Sequence, residues 1–465
     1  MSQAFGDERL EAQLRAILDE RAEEVASRAR TGTEVATELQ HRLRGSARPA
    51  ASGDRVVRIL AVAAVLAALL ALLAFGVGRS RPPVRLQIAV DLPLGVEPGA
   101  DTIADSVRQA IGAASARDRP YVLALPPAMV FDDTVAGAPD RDAGAANVRA
   151  AIADPHTVAL IGPYNSSVAE AEIPVANAAG LLQCSESNTA PGLTIGSAAA
   201  ALRPRPDRPT YVRVAATDDA EAAGAARFLV ERLGAHSVYF VSKPGWAGGR
   251  IAQVIDAVRR LGARTAGIAS LAGPPETDAA KAAMVVQAAP DVVFYDGPGD
   301  LGAHLATTIA GAGGDLPMVS LDTILDGPRS SAGSFLNLAG RAATNVYAVF
   351  PAGFDPIRGL DVAAAHIETF GVRPTRYAFG AYACTEIVQA ALDGLELPES
   401  ADLAAWREAL RAAVTQRGAT YQTVLGAVSF DASGDVAPTR VSVYRADPAV
   451  NDWAFSEVVE LPPGG

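Results

Sequence analysis

Residues Val158 to Thr194, VALIGPYNSSVAEAEIPVANAAGLLQCSESNTAPGLT, constrain this chain most. Val158 to Ile161 reads as a buried strand, Gly162-Pro163 as a turn, the stretch from Ser166 as a helix, and Leu181 to Cys184 as a second strand. A strand, helix and strand of this length form the crossover of a parallel sheet. Both strands run into hydroxyl-rich loops, Ser166 after the turn and Ser185 to Thr189 after the second strand. Ligands of open parallel sheets sit beyond the carboxyl ends of the strands, so a small polar ligand between Ser166 and Thr189 is expected.

The same rhythm fills most of the chain. Strand-like runs occur at 84–90, 121–125, 158–161, 181–184, 211–215, 237–241, 291–295, 318–321 and 346–350, with Ala-rich helical stretches at 101–114, 143–153, 220–233, 249–261, 277–288 and 300–312. Such alternation predicts doubly wound parallel sheets. Nine strands are too many for one comfortable sheet, and the breaker-rich Arg203-Pro204-Arg205-Pro206 separates two similar halves. Two α/β lobes with a ligand cleft between them follow. The tail differs: 424–430, a tight turn at 432–435, and 439–444 read as an antiparallel hairpin, with 453–460 as another strand.

Ahead of these lobes, Ile59 to Val77 is a run of 19 residues without a charge. At about 1.5 Å per residue it covers roughly 28 Å, close to the ~30 Å hydrocarbon core of a bilayer. A polar leader of 55 residues is too long for a signal peptide, so a single-pass signal anchor is expected, with the C-terminal part extracytoplasmic at the cell membrane. Leu10, Leu14, Ile17, Leu18 and Val25 give the leader an apolar stripe, which reads either as a docking face for a cytoplasmic partner or as part of a mostly solvated tail. The expected organisation is a cytoplasmic segment at 1–55, a transmembrane helix at 56–78 and a stem at 79–83. Lobe one follows at 84–210, lobe two at 211–350, the second part of lobe one at 351–425, and a hairpin at 426–465 returning to lobe two.

Of the net charge of −12, residues 1–55 carry nine Arg against ten Asp and Glu, and 56–84 add three Arg, so the remainder is the acidic part. That excludes a nucleic-acid partner, whose phosphates need Lys and Arg. The five His and two Cys show no metal-ligand spacing, and no metal or other cofactor is expected. Cys184 and Cys384 read as two small buried hydrophobes, with a bridge outside the cytosol as the alternative. Ser166 lies in no G-x-S-x-G elbow, and no phosphate-binding glycine loop is present, so an enzyme is not expected.

The central motifs resemble the leucine/isoleucine/valine-binding type of periplasmic solute-binding protein, with the type I periplasmic-binding fold. Ile161-Gly162-Pro163-Tyr164-Asn165-Ser166 matches its V-I-G-P-x-x-S, and Ser185, Thr189, Pro191, Leu193 and Thr194 match its S-x-x-x-T-x-P-x-L-T. Asp132-Asp133, Arg213 with Asp218, Gly340 to Pro351, and Phe430-Asp431 with Gly434-Asp435 are looser matches across residues 84 to 450. The resemblance implies reversible closure on an amino acid or similar zwitterion for delivery to an ABC permease. It also implies that Ser166 and Thr189 hold the carboxylate, that the Ser187 backbone receives the ammonium, and that Asp322 faces the ammonium from lobe two. Asp296-Gly297-Pro298-Gly299 stands where the family has an aromatic wall, which Trp246 is placed to restore. A sensor signalling through the membrane helix, and a scaffold that has lost its ligand, are the alternatives.

Overall fold

The computed structural model describes residues 83–462, apart from 115–118, 246–249, 272–274, 326–332 and 399. The cytoplasmic segment, the membrane span, nearly all of the stem, and Trp246 therefore lie outside the described residues. Among those described, no helix is long and apolar enough to cross a membrane.

The first sheet begins with β1 (Val84–Leu92), α1 (Ala100–Ala114), β2 (Tyr121–Ala124), β3 (Val130–Asp132) and α2 (Arg141–Ala153). It continues with β4 (Thr157–Ile161), α3 (Ser166–Ala179), β5 (Leu182–Ser185) and β6 (Tyr211–Arg213). The order is β2-β1-β4-β5-β6, all parallel, with β3 continuing beside the end of β1. Every residue of β4 is buried, as a parallel strand covered on both faces requires. Asp140 caps α2 by accepting from the Asp142 and Ala143 amides.

The chain then crosses to the second sheet. It runs through α4 (Asp218–Arg227), β7 (Ser237–Ser242), α5 (Arg250–Arg260), β8 (Arg264–Ser270), α6 (Pro275–Gln287), β9 (Val292–Asp296), α7 (Gly299–Gly311), β10 (Met318–Ser320) and β11 (Val346–Phe350). Next come α8 (Pro356–Phe370), α9 (Arg376–Asp393) and α10 (Leu403–Val414), where α9 packs on α1 and α10 on β4 of the first sheet. Finally β12 (Arg440–Asp447) and β13 (Asp452–Glu460) complete the second sheet, ordered β8-β7-β9-β10-β11-β12-β13, with the last two strands antiparallel. The type I periplasmic-binding α/β architecture is thus present. Between α5 and α6 the alternation includes one strand more than expected, β8, a half-exposed edge strand without a continuous apolar run.

The tail differs from the expected hairpin. Gly426–Phe430 pairs with Tyr421–Thr423 on one side and the two-residue Val436–Ala437 on the other, whereas Arg440–Asp447 pairs with Asp452–Glu460 over its whole length. The long hairpin therefore lies one strand later than the alternating pattern suggested.

Three crossings connect the sheets and are bonded to one another. The Arg213 amide donates to Gly434 O (3.0 Å) and the Ala216 amide to Pro351 O (2.6 Å). The fully buried Arg213 guanidinium bonds Asp435 Oδ1 (2.7 Å), Ala190 O (2.8 Å) and Thr194 Oγ1 (2.5 Å). Reading the two cysteines as separate buried hydrophobes is also corrected: Cys184 and Cys384 form a disulfide, Cα–Cα 5.9 Å, joining the end of β5 to α9. Only the fold brings together two positions 200 residues apart.

Candidate functional site

The turn after β4 and the loop after β5 are stitched together by side chains. Ser187 Oγ donates to Tyr164 O (2.9 Å), and Asn188 Nδ2 donates to Pro163 O (2.9 Å) and Tyr164 O (3.0 Å). Ser185 Oγ accepts from the Asn188 amide (2.9 Å), a local serine turn that fixes the loop. Gly162 has φ of +110°, and a Cβ there would lie 2.5 Å from Asp91 O, so only glycine fits.

These bonds bring Ser166, Ser187 and Thr189 into one neighbourhood. Ser166 opens α3 but is not its cap, a place that Asn165 takes without a side-chain bond. Its Oγ instead accepts from the Ala190 amide (3.4 Å), half-buried. Ser187 is buried, and Thr189 is half-buried. Thr189 O accepts from the Asp218 amide (2.8 Å), and its side chain bonds the Asp218 carboxylate.

On the second sheet Asp322 stands just past β10, and both of its oxygens already have partners. Its Oδ1 meets Arg250 Nη1 (3.1 Å), and its Oδ2 accepts from the Tyr377 hydroxyl (2.6 Å). Arg250 Nη1 also lies 3.2 Å from Glu221 Oε2 and 3.9 Å from Asp218 Oδ1, and its Nη2 lies 3.5 Å from Asp296 Oδ1. Burial pushes Asp218 up, Asp296 up to about 6, and Glu221 well above the usual carboxylate range, with Asp322 adding repulsion to each. Burial alone would lower the Arg250 guanidinium, but the surrounding carboxylates raise it well above its ordinary value, so it stays charged.

Beside this cage lies a cavity of about 230 Å³ lined from both sheets. Glu97, Tyr164 and Tyr377 contribute from one side, Asp322, Thr323 and Leu325 from the other, and Phe350 ends β11 between them. The Tyr164 and Tyr377 rings meet edge to face (centroids 5.4 Å apart), and Phe350 packs on Tyr377 (4.8 Å). The Tyr164 hydroxyl donates to Glu97 Oε1 (3.2 Å). Of the expected ligand residues only Asp322 lines this cavity; Ser166, Ser187 and Thr189 do not, and Trp246 is undescribed.

Glu97, Tyr164, Arg250 and Tyr377 were missed from sequence. Arg250 had a signal: a cation opening a helix opposes the helix dipole and needs acidic partners, and Asp296 and Asp322 follow adjacent strands. Tyr295, whose hydroxyl donates to Pro298 O (2.8 Å), fills the space over Gly297 and Gly302. No group of metal-ligating side chains is placed to hold an ion among the described residues.

A family model described as periplasmic binding protein matches residues 135–451. Comparison with curated proteins finds no match. Among solved structures, an ABC transporter substrate-binding protein from Desulfitobacterium hafniense in complex with Leu is 18% identical, covers 80% of this chain and 100% of its own, and has a TM-score of 0.62. The branched-chain amino acid transporter substrate-binding protein LivJ from Streptococcus pneumoniae, in complex with isoleucine, is 17% identical, covers 81% and 100%, and has a TM-score of 0.61. A solute-binding protein from R. palustris in complex with benzoate is 14% identical, covers 82% and 98%, and has a TM-score of 0.60. At these identities the structures speak for the fold, while the sequence match spans two thirds of the chain: it belongs to the periplasmic binding protein family.

Proposed function

We propose that this chain is an extracytoplasmic solute-binding protein, anchored through Ile59 to Val77, whose lobes close on an amino acid or similar small solute for delivery to an ABC permease. The lobes in this reading are 84–210 with 351–425, and 211–350 with 426–465. The observation that carries it is the cavity between the sheets, where polar and aromatic groups from both sides converge on a space of about 230 Å³. That is below the ~300–1,000 Å³ of pockets for drug-sized ligands and suits a metabolite of a few carbons. The Cys184–Cys384 bridge supports an oxidising compartment. Relatives of this fold held leucine, isoleucine and benzoate, which places small carboxylates among the compounds to try. Binding here is reversible and asks for no bond making.

A thermal-shift panel on the full chain, with the proteinogenic amino acids, short amines and benzoate, tests this. A ligand at 100 times its Kd adds about 2.7 kcal/mol and raises the melting temperature by several degrees. No shift with any compound would refute solute binding of this class.

A further inference from the structure

Glu97 and Asp322 reach the same cavity from opposite sides. Each accepts from one tyrosine, Glu97 Oε1 from Tyr164 (3.2 Å) and Asp322 Oδ2 from Tyr377 (2.6 Å). Neither hydroxyl brings a positive charge. Glu97 has no ion pair among the described residues, and burial, with a smaller contribution from the repulsion of Asp322, raises its carboxyl above the ordinary value.

The cations nearby are engaged elsewhere. Arg250 is shared among Asp218, Glu221, Asp296 and the other oxygen of Asp322. Arg376 lines the cavity, but its guanidinium carbon lies 4.3 Å from the centroid of the Tyr444 ring. Two further groups of the lining are buried without a hydrogen-bond partner, Thr323 Oγ1 and Arg376 Nε.

Two carboxylates facing one small, partly dry space repel, and each is stabilised by a positive charge placed between them. Aromatic rings beside that space favour a cation further. An ammonium offers three donors and a guanidinium five, enough for Glu97, Asp322 and Thr323 together. A neutral aliphatic side chain in the same place would leave Glu97 desolvated without an ion pair, and Asp322 with Arg250 alone.

We propose that the cleft selects an organic cation, with an ammonium or guanidinium group seated between Glu97 and Asp322 against the Tyr164 and Tyr377 rings. The assignment rests on the solute-binding function and narrows its ligand to cationic amino acids and short amines. It sets this chain apart from relatives whose bound compounds are leucine, isoleucine and benzoate. Glu97 is the specificity-determining residue, since Asp322 is already half-neutralised by Arg250.

Calorimetric titration of the full chain in detergent with L-lysine, L-arginine, putrescine, L-leucine and benzoate tests it. At least one of the three cations binds about tenfold or more tightly than L-leucine and benzoate, and Glu97→Gln weakens that cation about tenfold or more. Glu97→Asp keeps part of the affinity, and both variants melt unliganded as the parent does. Tighter binding of L-leucine or benzoate than of every cation overturns the cation assignment while leaving solute binding intact. So does a cation affinity unchanged by Glu97→Gln. Should none of the five bind, the cation assignment falls, while the solute-binding function stands or falls by the wider thermal-shift panel.

Discussion

Each half of the molecule gathers four carboxylates, all buried in the first half and buried or half-buried in the second, and the two groups solve the same problem differently. In the second half, Asp218, Glu221, Asp296 and Asp322 surround Arg250. In the first, Asp91, Asp133, Glu172 and Glu186 are all essentially inaccessible, and none forms an ion pair among the described residues. Burial raises Asp133 and Glu186 to about 7, Asp91 above its ordinary value, and Glu172 far above it, with repulsion from neighbouring carboxylates adding in each case, for Asp91 that of Asp132. Asp91 Oδ2 and Glu172 Oε1 lack partners when both groups are ionised, yet the two side chains lie within hydrogen-bond reach of one another. One shared proton satisfies both. The first cluster is held by protons and the second by a guanidinium, which teaches that only the second keeps a charged group beside the cleft.

Removing the guanidinium is the largest test of that contrast. Arg250→Ala removes the shared cation from the buried Glu221 and Asp296 and the half-buried Asp218 and Asp322, and is expected to cost on the order of 3–5 kcal/mol in denaturant unfolding. A loss below about 1 kcal/mol would mean that protons serve the second cluster as they serve the first.

Smaller is the effect of pH. For carboxyls raised on folding, the folded chain holds more protons than the unfolded one, so their contribution is full below about pH 4 and is lost as pH rises toward 7. Between pH 5 and 8 the melting temperature therefore falls, by several degrees. Glu408, lowered to about 2 chiefly by its bond with Arg411, acts in the opposite sense but only below that window. A melting temperature flat or rising across pH 5 to 8 breaks the proton account of the first cluster.

Smallest is Glu172→Gln. Its amide supplies permanently the hydrogen that the shared proton supplies now, while its carbonyl still accepts from Gln183 Nε2, which lies 2.6 Å from Glu172 Oε2. Stability at pH 7.5 should stay within about 1 kcal/mol or rise, and the pH slope should shrink. A loss as large as that of Arg250→Ala would show Glu172 to be needed as a charge.

The two halves were also unequally legible in the sequence. Strands β4, β5, β9 and β11 stood out because buried parallel strands are short continuous apolar runs between helices. The Ser185–Thr189 loop and the Gly162 turn were legible as the polar ends of two strands one crossover apart, although the bonds between them span 23 and 25 residues. Edge strand β8 was not, since half-exposed residues blur its pattern. Nor was the cavity, whose members Glu97, Tyr164, Asp322 and Tyr377 come from four separate segments and meet only once both sheets are folded. Asp322 was found by analogy to the family, but its bonds to Arg250 and Tyr377 span 72 and 55 residues, beyond any local pattern.

The account turns on what lies between Glu97 and Asp322. A structure of the full chain with the tightest binder among L-lysine, L-arginine, putrescine, L-leucine and benzoate examines that space directly. The prediction is the side-chain ammonium or guanidinium of L-lysine or L-arginine, or an ammonium of putrescine, within hydrogen-bond distance of both carboxylates and against the Tyr164 and Tyr377 rings. A ligand seated outside that cavity, or a neutral or anionic compound held in it with Glu97 turned away, would contradict it.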